Sequence, residues 1–347
     1  MLRKHIIVFF SLLTFSGFTQ VGGDDVYDFL NLTSSSRIAM HGSSMLSLKE
    51  NDPSIGLAAP SLLSKNNHQQ LSLNYINYVS DINYGFAQYV HHVDSLATFS
   101  AAMQFLNYGT FLETDVTGEQ LGEFSAGDYA LVLGAGRELD SNFSIGANMK
   151  LIYSDMRINQ SFGIAFDASA SYNKISKGFC ATFLLKNMGT QIKPYYEGNR
   201  EKLPFEIQLG VTKKLKYAPI RFSALLTNLQ QWKLTYIDPT IQTQIDPTTG
   251  EDILPEEPGF LNNALRHFVF GAEFLLGKNF YFGGSLNYKM RQELRYLDKP
   301  GIVGFGFGAG MKIKKFQIGY ALNKYHLAGA ANTITIAMRL SDFKKVN

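Results

Sequence analysis

The sequence predicts an all-β protein: a transmembrane outer-membrane β-barrel of about 14 antiparallel strands, with an N-terminal plug segment. Three observations lead to this prediction. The chain begins like a secreted protein, apolar and small or polar residues alternate in long segments from Leu71 onward, and charged residues make up only 18% of it. Soluble domains have roughly 25% charged residues. Alternation with period two is the mark of strands, and a bilayer accepts strands only when they close into a barrel.

Residues 1–19 are expected to be a signal peptide. Arg3 and Lys4 precede the apolar run 6–15, and small and polar residues follow it up to Thr19. This order is typical of a secretory signal. Removing it takes the side-chain net charge from +3 to +1, because two cations leave. We therefore expect no nucleic-acid partner. The remaining chain has no apolar run of about 18 residues, so no membrane-spanning helix is predicted.

Residues 20–69 do not alternate, and we expect them to form a plug or hatch with short helices. In this segment Asp52 can cap a helix whose first position is Pro53. The barrel is predicted to span residues 70–341, which leaves 342–347 as a C-terminal tail.

Fourteen alternating segments are predicted to be the barrel strands. Most have about ten residues, the length that a tilted strand needs to cross a bilayer. A soluble β-sandwich would also alternate, but the long strands, the low charge, the signal and the even count favour a closed barrel. The segments are 71–79, 82–92, 97–109, 127–139, 143–156, 161–173, 178–189, 204–216, 220–232, 266–277, 280–293, 301–313, 316–327 and 332–340.

Long and short connections alternate between these segments. The odd-numbered connections include 110–126, 190–203, 233–265 and 294–300, whereas the even-numbered ones are tight turns. Outer-membrane barrels have long extracellular loops and short periplasmic turns. The long loops are therefore expected to be extracellular.

The stretch VGFGFGAGMKI, residues 303–313, alternates bulky and tiny side chains. Its bulky residues are expected to face lipid and its glycines to face the lumen. Inward glycines can bend the wall, or they can let another backbone lie close against it, and both explanations remain open. Under the second, the 20–69 segment is the candidate to pack there. The candidate positions for this packing are Gly304, Gly306, Gly308 and Gly310.

No catalytic, cofactor or metal site is predicted, and we expect a protein that is not an enzyme. The glycine-rich stretches do not open a helix in a βαβ unit. Neighbouring His91 and His92 point to opposite faces of a strand and make a poor chelate. Lys150 and Asp167 both point into the lumen and can form an ion pair of the wall.

Two stretches resemble known families. FLNLTSSSRIAMHGSSMLSLKENDPSIGLAAPSLL, residues 29–63, resembles the entry segment of FadL-like outer-membrane barrels. LSLNYINYVSDINYGFAQYV, residues 71–90, resembles the PorQ family of outer-membrane components of the Bacteroidetes type IX secretion system. Two departures concern the first stretch. Asn51-Asp52 stands where the FadL-like pattern has an acidic pair, and Ala59-Pro60-Ser61 stands where it has Asn-Pro-Ala.

The PorQ resemblance implies a non-enzymatic anchor of the type IX attachment complex, which attaches secreted cargo to lipopolysaccharide. It implies a PorZ-like surface protein, PorU and PorV as partners, in addition to outer-membrane lipid. The FadL resemblance implies the alternative, a transporter of hydrophobic molecules. A transporter needs a continuous apolar pocket, whereas most inward residues identified from the sequence are small or polar. A diffusion porin is a third possibility, to which a filled lumen would be an obstacle.

The longest predicted loop, 233–265, carries many apolar residues among acids and prolines. Exposed apolar patches often mark contacts. Docking of a partner, a lid over the barrel mouth and a disordered loop all remain open for it. The candidate partner-binding residues are Trp232, Tyr236, Ile237, Ile253, Leu254 and Phe260.

Overall fold

The computed structural model describes most of the chain from Asp25 to Phe343. The described residues are 25–42, 45–50, 52–78, 81–235, 244–245, 252–253, 259–277, 279–294, 301–326 and 329–343. The expected signal peptide, 1–19, lies outside them. None of the helices in these ranges is long and apolar enough to span a membrane.

Fourteen antiparallel strands close into one barrel, in which each strand pairs with its neighbours in the sequence and the last pairs with the first. A separate two-stranded ribbon joins Gln244–Ile245 to Asp252–Ile253. The barrel strands are β1 (Gln70–Asn77), β2 (Asn83–Val93), β3 (Ala97–Thr114), β4 (Gln120–Glu138), β5 (Phe143–Met156), β6 (Asn159–Lys174), β7 (Phe179–Lys193), β8 (Glu206–Lys214), β9 (Ile220–Leu226), β10 (Phe268–Leu276), β11 (Phe280–Asn287), β12 (Phe305–Ile313), β13 (Phe316–His326) and β14 (Gly329–Arg339).

The closed fourteen-stranded barrel predicted from the sequence is confirmed. Each predicted segment overlaps one barrel strand, and β5 has the predicted bounds. Several predicted boundaries are wrong; for example, the segment 220–232 is a strand only to Leu226, and the segment 301–313 is a strand only from Phe305. The segment 280–293 is a strand only to Asn287, after which a helix begins. The connection 110–126 is not a loop throughout, because β3 and β4 continue through it as a paired hairpin to Thr114 and Gln120.

Side chains alternate between a lipid-facing outside and a buried inside. In β6, Phe162 and Phe166 are each 44% exposed, whereas Asp167 is 2% exposed. In β12, Phe307 is exposed and Gly306 is buried. Apolar side chains on the outside match hydrocarbon, and small or polar ones on the inside match the lumen.

The wall is taller on one side than on the other. Strands β3 to β7 have between 14 and 19 residues. Strands β8 to β12 have only seven to nine. Two short helices lie beside the low side: α3 (Phe260–Arg266), which precedes β10, and α4 (Tyr288–Leu294), which follows β11.

Residues 25–69 pack against the inward face of the wall. Helix α1 (Ser36–Met40) contacts β12, β13 and β14, and helix α2 (Pro53–Ala58) contacts β1, β2 and β4. A 3-10 turn, Pro60–Leu62, contacts β4, β5 and β6. As the sequence predicts, Asp52 caps α2 by accepting a hydrogen bond from the Ser54 backbone N–H, and Pro53 is its first residue. These contacts cover most of the inner circumference.

Candidate functional site in the barrel lumen

Four charged side chains form a closed ring between the N-terminal segment and the wall. Arg37 and Glu50 come from the segment, whereas Arg221 on β9 and Glu273 on β10 come from the wall. Arg37 donates to Glu273 at 2.8 Å and to Glu50 at 2.8 Å. Arg221 donates to Glu273 at 2.7 Å and also to Glu50. Each carboxylate thus binds both guanidinium groups, which offsets the cost of removing these charges from water.

His41 and Glu50 have shifted pKa values beside this ring. Burial, together with the nearby Arg37 and Arg221, lowers the pKa of His41 to about 4, although Glu273 opposes the shift. Desolvation alone would raise the pKa of Glu50, but Arg37 and Arg221 hold it down to about 2. At neutral pH the imidazole is therefore uncharged, and one ring nitrogen lies 2.7 Å from the Ser223 hydroxyl.

A second polar cluster lies on β5, β6 and β7. Lys150 forms an ion pair with Asp167 at 2.8 Å, which confirms the pair predicted from the sequence. Lys150 also donates to the Asn187 side chain at 2.7 Å. The Asn187 amide in turn donates to Asn31 of the N-terminal segment at 3.1 Å. This cluster therefore gives the segment a second polar attachment to the wall.

The cavity next to this cluster is small. Lys186, Lys150 and Gln104 line it from the wall, and Leu30 and Leu57 line it from the segment. It has space for only about one or two water molecules. The lumen around it is thus packed, and it is not a preformed ligand pocket.

An apolar cluster fills the lumen on the long-loop side of these polar groups. Val26, Tyr27, Phe29, Leu30 and Leu57 of the segment pack against apolar side chains that point inward from the wall. The wall members are Ile76, Tyr84, Phe86, Ala102, Leu106, Ala130, Val132, Ile152, Ala165 and Ala331, and Leu203 of the β7–β8 connection joins them. The sequence analysis, which found mostly small or polar inward residues, did not predict this patch. The sequence feature that could have revealed this patch is that strands such as β2 carry apolar residues on both faces.

Four tyrosines of this region place their hydroxyls on polar partners. Tyr84 accepts a hydrogen bond from Gln104 at 3.0 Å, Tyr108 donates to Asp128 at 2.7 Å, and Tyr27 is hydrogen-bonded to Ser161. Tyr195 donates to Ser154 at 2.5 Å. The rings therefore contribute apolar surface to the lumen while their hydroxyls are satisfied at its edge.

The glycines at and before β12 were the predicted positions for a close approach of the N-terminal segment to the wall. A Cβ on Gly306 would come within 3.0 Å of the Ala39 carbonyl oxygen, and one on Gly308 within 2.8 Å of the Met40 Cβ. Gly310 instead lies under the Tyr281 ring. Gly304 lies outside the strand, in a turn with φ of +82°, against the backbone of α4 at Arg291.

A second close approach involves Gly136 and Gly146 on β4 and β5. A Cβ at either position would overlap the backbone of Pro60, which begins the 3-10 turn. Next to it, Ser61 donates its backbone N–H to the Ser169 hydroxyl at 2.8 Å. Ala59-Pro60-Ser61 therefore attaches to the wall despite its departure from the Asn-Pro-Ala pattern.

The candidate partner-binding residues are only partly described. Trp232 and Phe260 are together, with ring centroids 5.1 Å apart, and both are exposed. Tyr236, Ile237 and Leu254 lie outside the described residues. The backbone of Ile253 belongs to the two-residue ribbon.

The histidine pair lies at a short turn. His92 Nε2 is 3.4 Å from Asp94, and the His91 ring packs on the His68 ring. Within the described ranges no group of three or more His, Cys, Asp or Glu side chains could hold a metal ion.

The fold resembles solved outer-membrane proteins. A Pseudomonas aeruginosa FadL homologue is 12% identical, with a TM-score of 0.50, over 89% of this chain and 98% of that chain. The Pseudomonas putida toluene transporter TodX is 13% identical, with a TM-score of 0.49, over 92% and 98%. The CymD monoaromatic hydrocarbon channel is 10% identical, with a TM-score of 0.45, over 90% and 97%.

No protein-family model matches the chain, and no curated protein matches it in sequence. At these identities the similarity concerns architecture alone. Strand number, closure and the match to the FadL homologue agree with one another. The chain therefore has the FadL-like outer-membrane barrel fold.

Proposed function

We propose that this protein is an outer-membrane transporter of hydrophobic molecules whose lumen is closed at rest by residues 25–69. The observation that carries the proposal is the apolar cluster between this segment and the inner wall. Wall residues such as Phe86 and Leu106 point inward, where a water-filled pore would have polar side chains. An apolar inner surface can bind an apolar solute once the segment moves away.

The proposed transport requires movement of the segment, because the described cavities hold little more than water. The ring of Arg37, Glu50, Arg221 and Glu273 and the contact between Lys150, Asn187 and Asn31 hold the segment in place. A solute entering the apolar cluster would displace Phe29 and Leu30 from it. In this proposal the long loops are extracellular and the solute enters from their side.

Uptake by cells tests this proposal. The full chain is expressed in the outer membrane of a bacterium that lacks its own hydrophobic transporter, and entry of a fluorescent alkyl probe is measured. We expect expression to increase the rate of entry. Phe86→Asn should reduce it by making the apolar patch polar, whereas Val116→Asn on the exposed β3–β4 tip should not. Equal rates with and without the protein, at confirmed surface levels, would reject transport of this class.

A second candidate function is that of an anchor in the type IX attachment complex, with a PorZ-like surface protein, PorU and PorV as partners. The filled lumen favours this candidate, because an anchor needs no passage. Its partner contact would include Trp232, Phe260 and the loop between them. The loop residues 238–258 are the segment to remove.

Deleting residues 238–258 should leave the barrel assembled and weaken binding of a surface partner. The measurement is extraction of native outer membranes in mild detergent, followed by mass spectrometry of the copurifying proteins. A stoichiometric large surface protein that is lost on deletion would support the anchor. A barrel that copurifies with apolar molecules and no protein would support transport.

A further inference from the structure

The low side of the barrel is too short to span the apolar layer with strands alone. Strand β9 has seven residues. At about 3.3 Å per residue and a tilt of about 40°, such a strand rises roughly 18 Å. The lipid-facing band of an outer-membrane barrel is about 25 Å tall. Something other than β9 must therefore meet the lipid above Leu226, on the side of the long loops.

Residues 227–235 and α3 occupy this place. They continue β9 and precede β10, and they are joined where the Thr227 N–H donates to the His267 carbonyl oxygen at 2.9 Å. Four large apolar side chains of this region are exposed, and we call them the rim patch: Leu229 at 41%, Trp232 at 50%, Phe260 at 76% and Leu261 at 70%.

The strands next to the rim patch also expose apolar side chains on the outside of the barrel. Phe205 and Leu209 next to β9, and Phe270 on β10, are exposed on the outside at 39%, 36% and 43%. Phe268, at the start of β10, stacks on Phe270. Exposed apolar side chains therefore occur on these strands and also on the residues that follow β9 and precede β10.

Backbone outside a strand can meet lipid only where its polar groups have partners. The Gln230 side chain supplies them at the edge of β8: it accepts from the Ile207 N–H at 2.9 Å and donates to the Phe205 carbonyl oxygen at 2.9 Å. The Asn228 N–H donates to Glu206 at 3.2 Å. These side chains replace the hydrogen bonds that a longer β9 would have made with β8.

His267 also supplies partners to backbone groups, and it joins residues 227–235 to the end of α3. Its ring nitrogens lie 2.8 Å from the Thr227 carbonyl oxygen and 3.2 Å from the Trp232 carbonyl oxygen. The ring also stacks on Trp232, with centroids 5.5 Å apart and an interplanar angle of 25°. The histidine is buried at 4% exposure, whereas Trp232, which packs on it, is half exposed.

We propose that the rim patch lies in the membrane leaflet on the long-loop side, where Leu229, Trp232, Phe260 and Leu261 contact lipid and complete the apolar band above the short strands. The inference goes beyond transport and holds whatever passes through the lumen. It differs from the anchor candidate, because a lipid-covered Trp232 is not free to bind a surface protein. Tryptophan is also typical of membrane interfaces, where its ring is apolar and its N–H is polar.

Trp232 is the single tryptophan of the chain, so its fluorescence reports on this patch alone. The full-length protein is reconstituted in phosphatidylcholine vesicles whose acyl chains carry bromine close to the headgroup or close to the chain end. We expect the lipid brominated close to the headgroup to remove most of the Trp232 emission. Acrylamide in the water should have little effect, and the emission should be blue-shifted.

Two relocated tryptophans calibrate the measurement. In a Trp232→Phe background, Phe166→Trp places the reporter on the lipid-facing side of β6, and Val116→Trp places it at the fully exposed hairpin tip. Both variants are checked for folding by heat-modifiable migration. Like the Phe166 position, Trp232 should be quenched by brominated lipid and protected from acrylamide, but it should respond more strongly to the bromine close to the headgroup. If it instead resembles the Val116 position, with strong acrylamide quenching and no effect of bromine, the lipid contact is refuted and the patch is open to a protein partner.

Discussion

Arg37 shows how one residue can control the position of the whole N-terminal segment. Its guanidinium binds Glu50 in its own segment and Glu273 in the wall, and it also lies over the Tyr281 ring at 4.4 Å. Glu273 is fully buried, so its carboxylate needs both arginines as partners. When the segment docks, its Arg37 thus neutralises the buried charge of Glu273 in the wall.

Replacing Arg37 with methionine should release the segment. The substitution leaves Glu273 with only Arg221 as a cationic partner, and breaking such a buried pair costs about 3 kcal/mol or more. We expect limited proteolysis of the folded barrel to cut within residues 25–69 much faster than in the wild type.

Glu138→Gln is the matched control for Arg37→Met. It breaks the ion pair of Glu138 with Lys49 of the same segment, but the Glu138 side chain is 43% exposed. A pair of this kind contributes about 0–1 kcal/mol, so proteolysis should change little. Equal protection of the segment in Arg37→Met and the wild type would contradict the role of the ring.

Docking should also weaken in acid, in two steps. The pKa of His41 falls from 6.5 to about 4 in the docked state, so the released segment binds the extra proton. This stabilisation is complete above pH 6.5 and is lost as the pH falls toward 4, by up to about tenfold in the docking equilibrium per pH unit. Glu50, whose pKa falls from 4.5 to about 2, acts in the same direction between those values.

A spin label on the exposed residue Lys65, introduced as Lys65→Cys in a Cys180→Ser background, measures this release. The mobile fraction should increase as the pH decreases from 6.5 to 4. His41→Phe, which has no proton to bind, should remove that first step and keep the one due to Glu50. A pH response that is identical in the two proteins would exclude His41 as its origin.

At the scale of elements, the contact of α1 with β12 depends on missing side chains. Gly306→Leu should displace α1, because its Cβ alone would lie 2.6 Å from Asn323 and 3.0 Å from the Ala39 carbonyl oxygen. Overpacking of this kind costs about 1–3 kcal/mol. The change is measured as lower protease resistance of residues 25–69 and altered heat-modifiable migration.

Gly122→Leu is the control for Gly306→Leu, because Gly122 lies on the β3–β4 hairpin with open space around its Cβ position. It should leave both measurements unchanged. If Gly306→Leu also leaves them unchanged, the glycines of β12 serve the curvature of the wall and not the approach of α1.

The strands were predictable because alternation is a local pattern, whereas the end of β11 had to be predicted from helix propensity. Residues 288–294 continue the alternation of β11, yet helix-forming residues such as Lys289, Met290 and Glu293 dominate there. The Asn287 side chain caps them by accepting from the Met290 N–H at 3.0 Å.

The charged ring was not predictable, because residues 236 positions apart, Arg37 and Glu273, meet in it. Neither residue has a local pattern that identifies its partner.

At the scale of the whole molecule, the lumen combines an apolar part on the long-loop side with a polar part on the short-turn side. The described wall contributes three buried cations and four buried acids to it, a net charge of −1 (three minus four). The cations are Lys150, Lys186 and Arg221, and the acids are Asp128, Asp167, Glu206 and Glu273. With the segment docked, Lys150 pairs with Asp167, and Arg221 and Glu273 pair with each other and with the segment. Without it, they would face water.

Removing residues 25–69 should therefore convert the barrel into a conducting pore. In planar bilayers we expect the full-length protein to be closed and the shortened one to pass ions, with a weak preference for cations because the wall charge is slightly negative. The full-length Arg37→Met protein should show brief openings of the same size, which tests the idea without a deletion. A shortened barrel that folds, as judged by heat-modifiable migration, but does not conduct would mean that the wall itself closes the lumen. The N-terminal segment would then not be the gate, and transport would need a different opening.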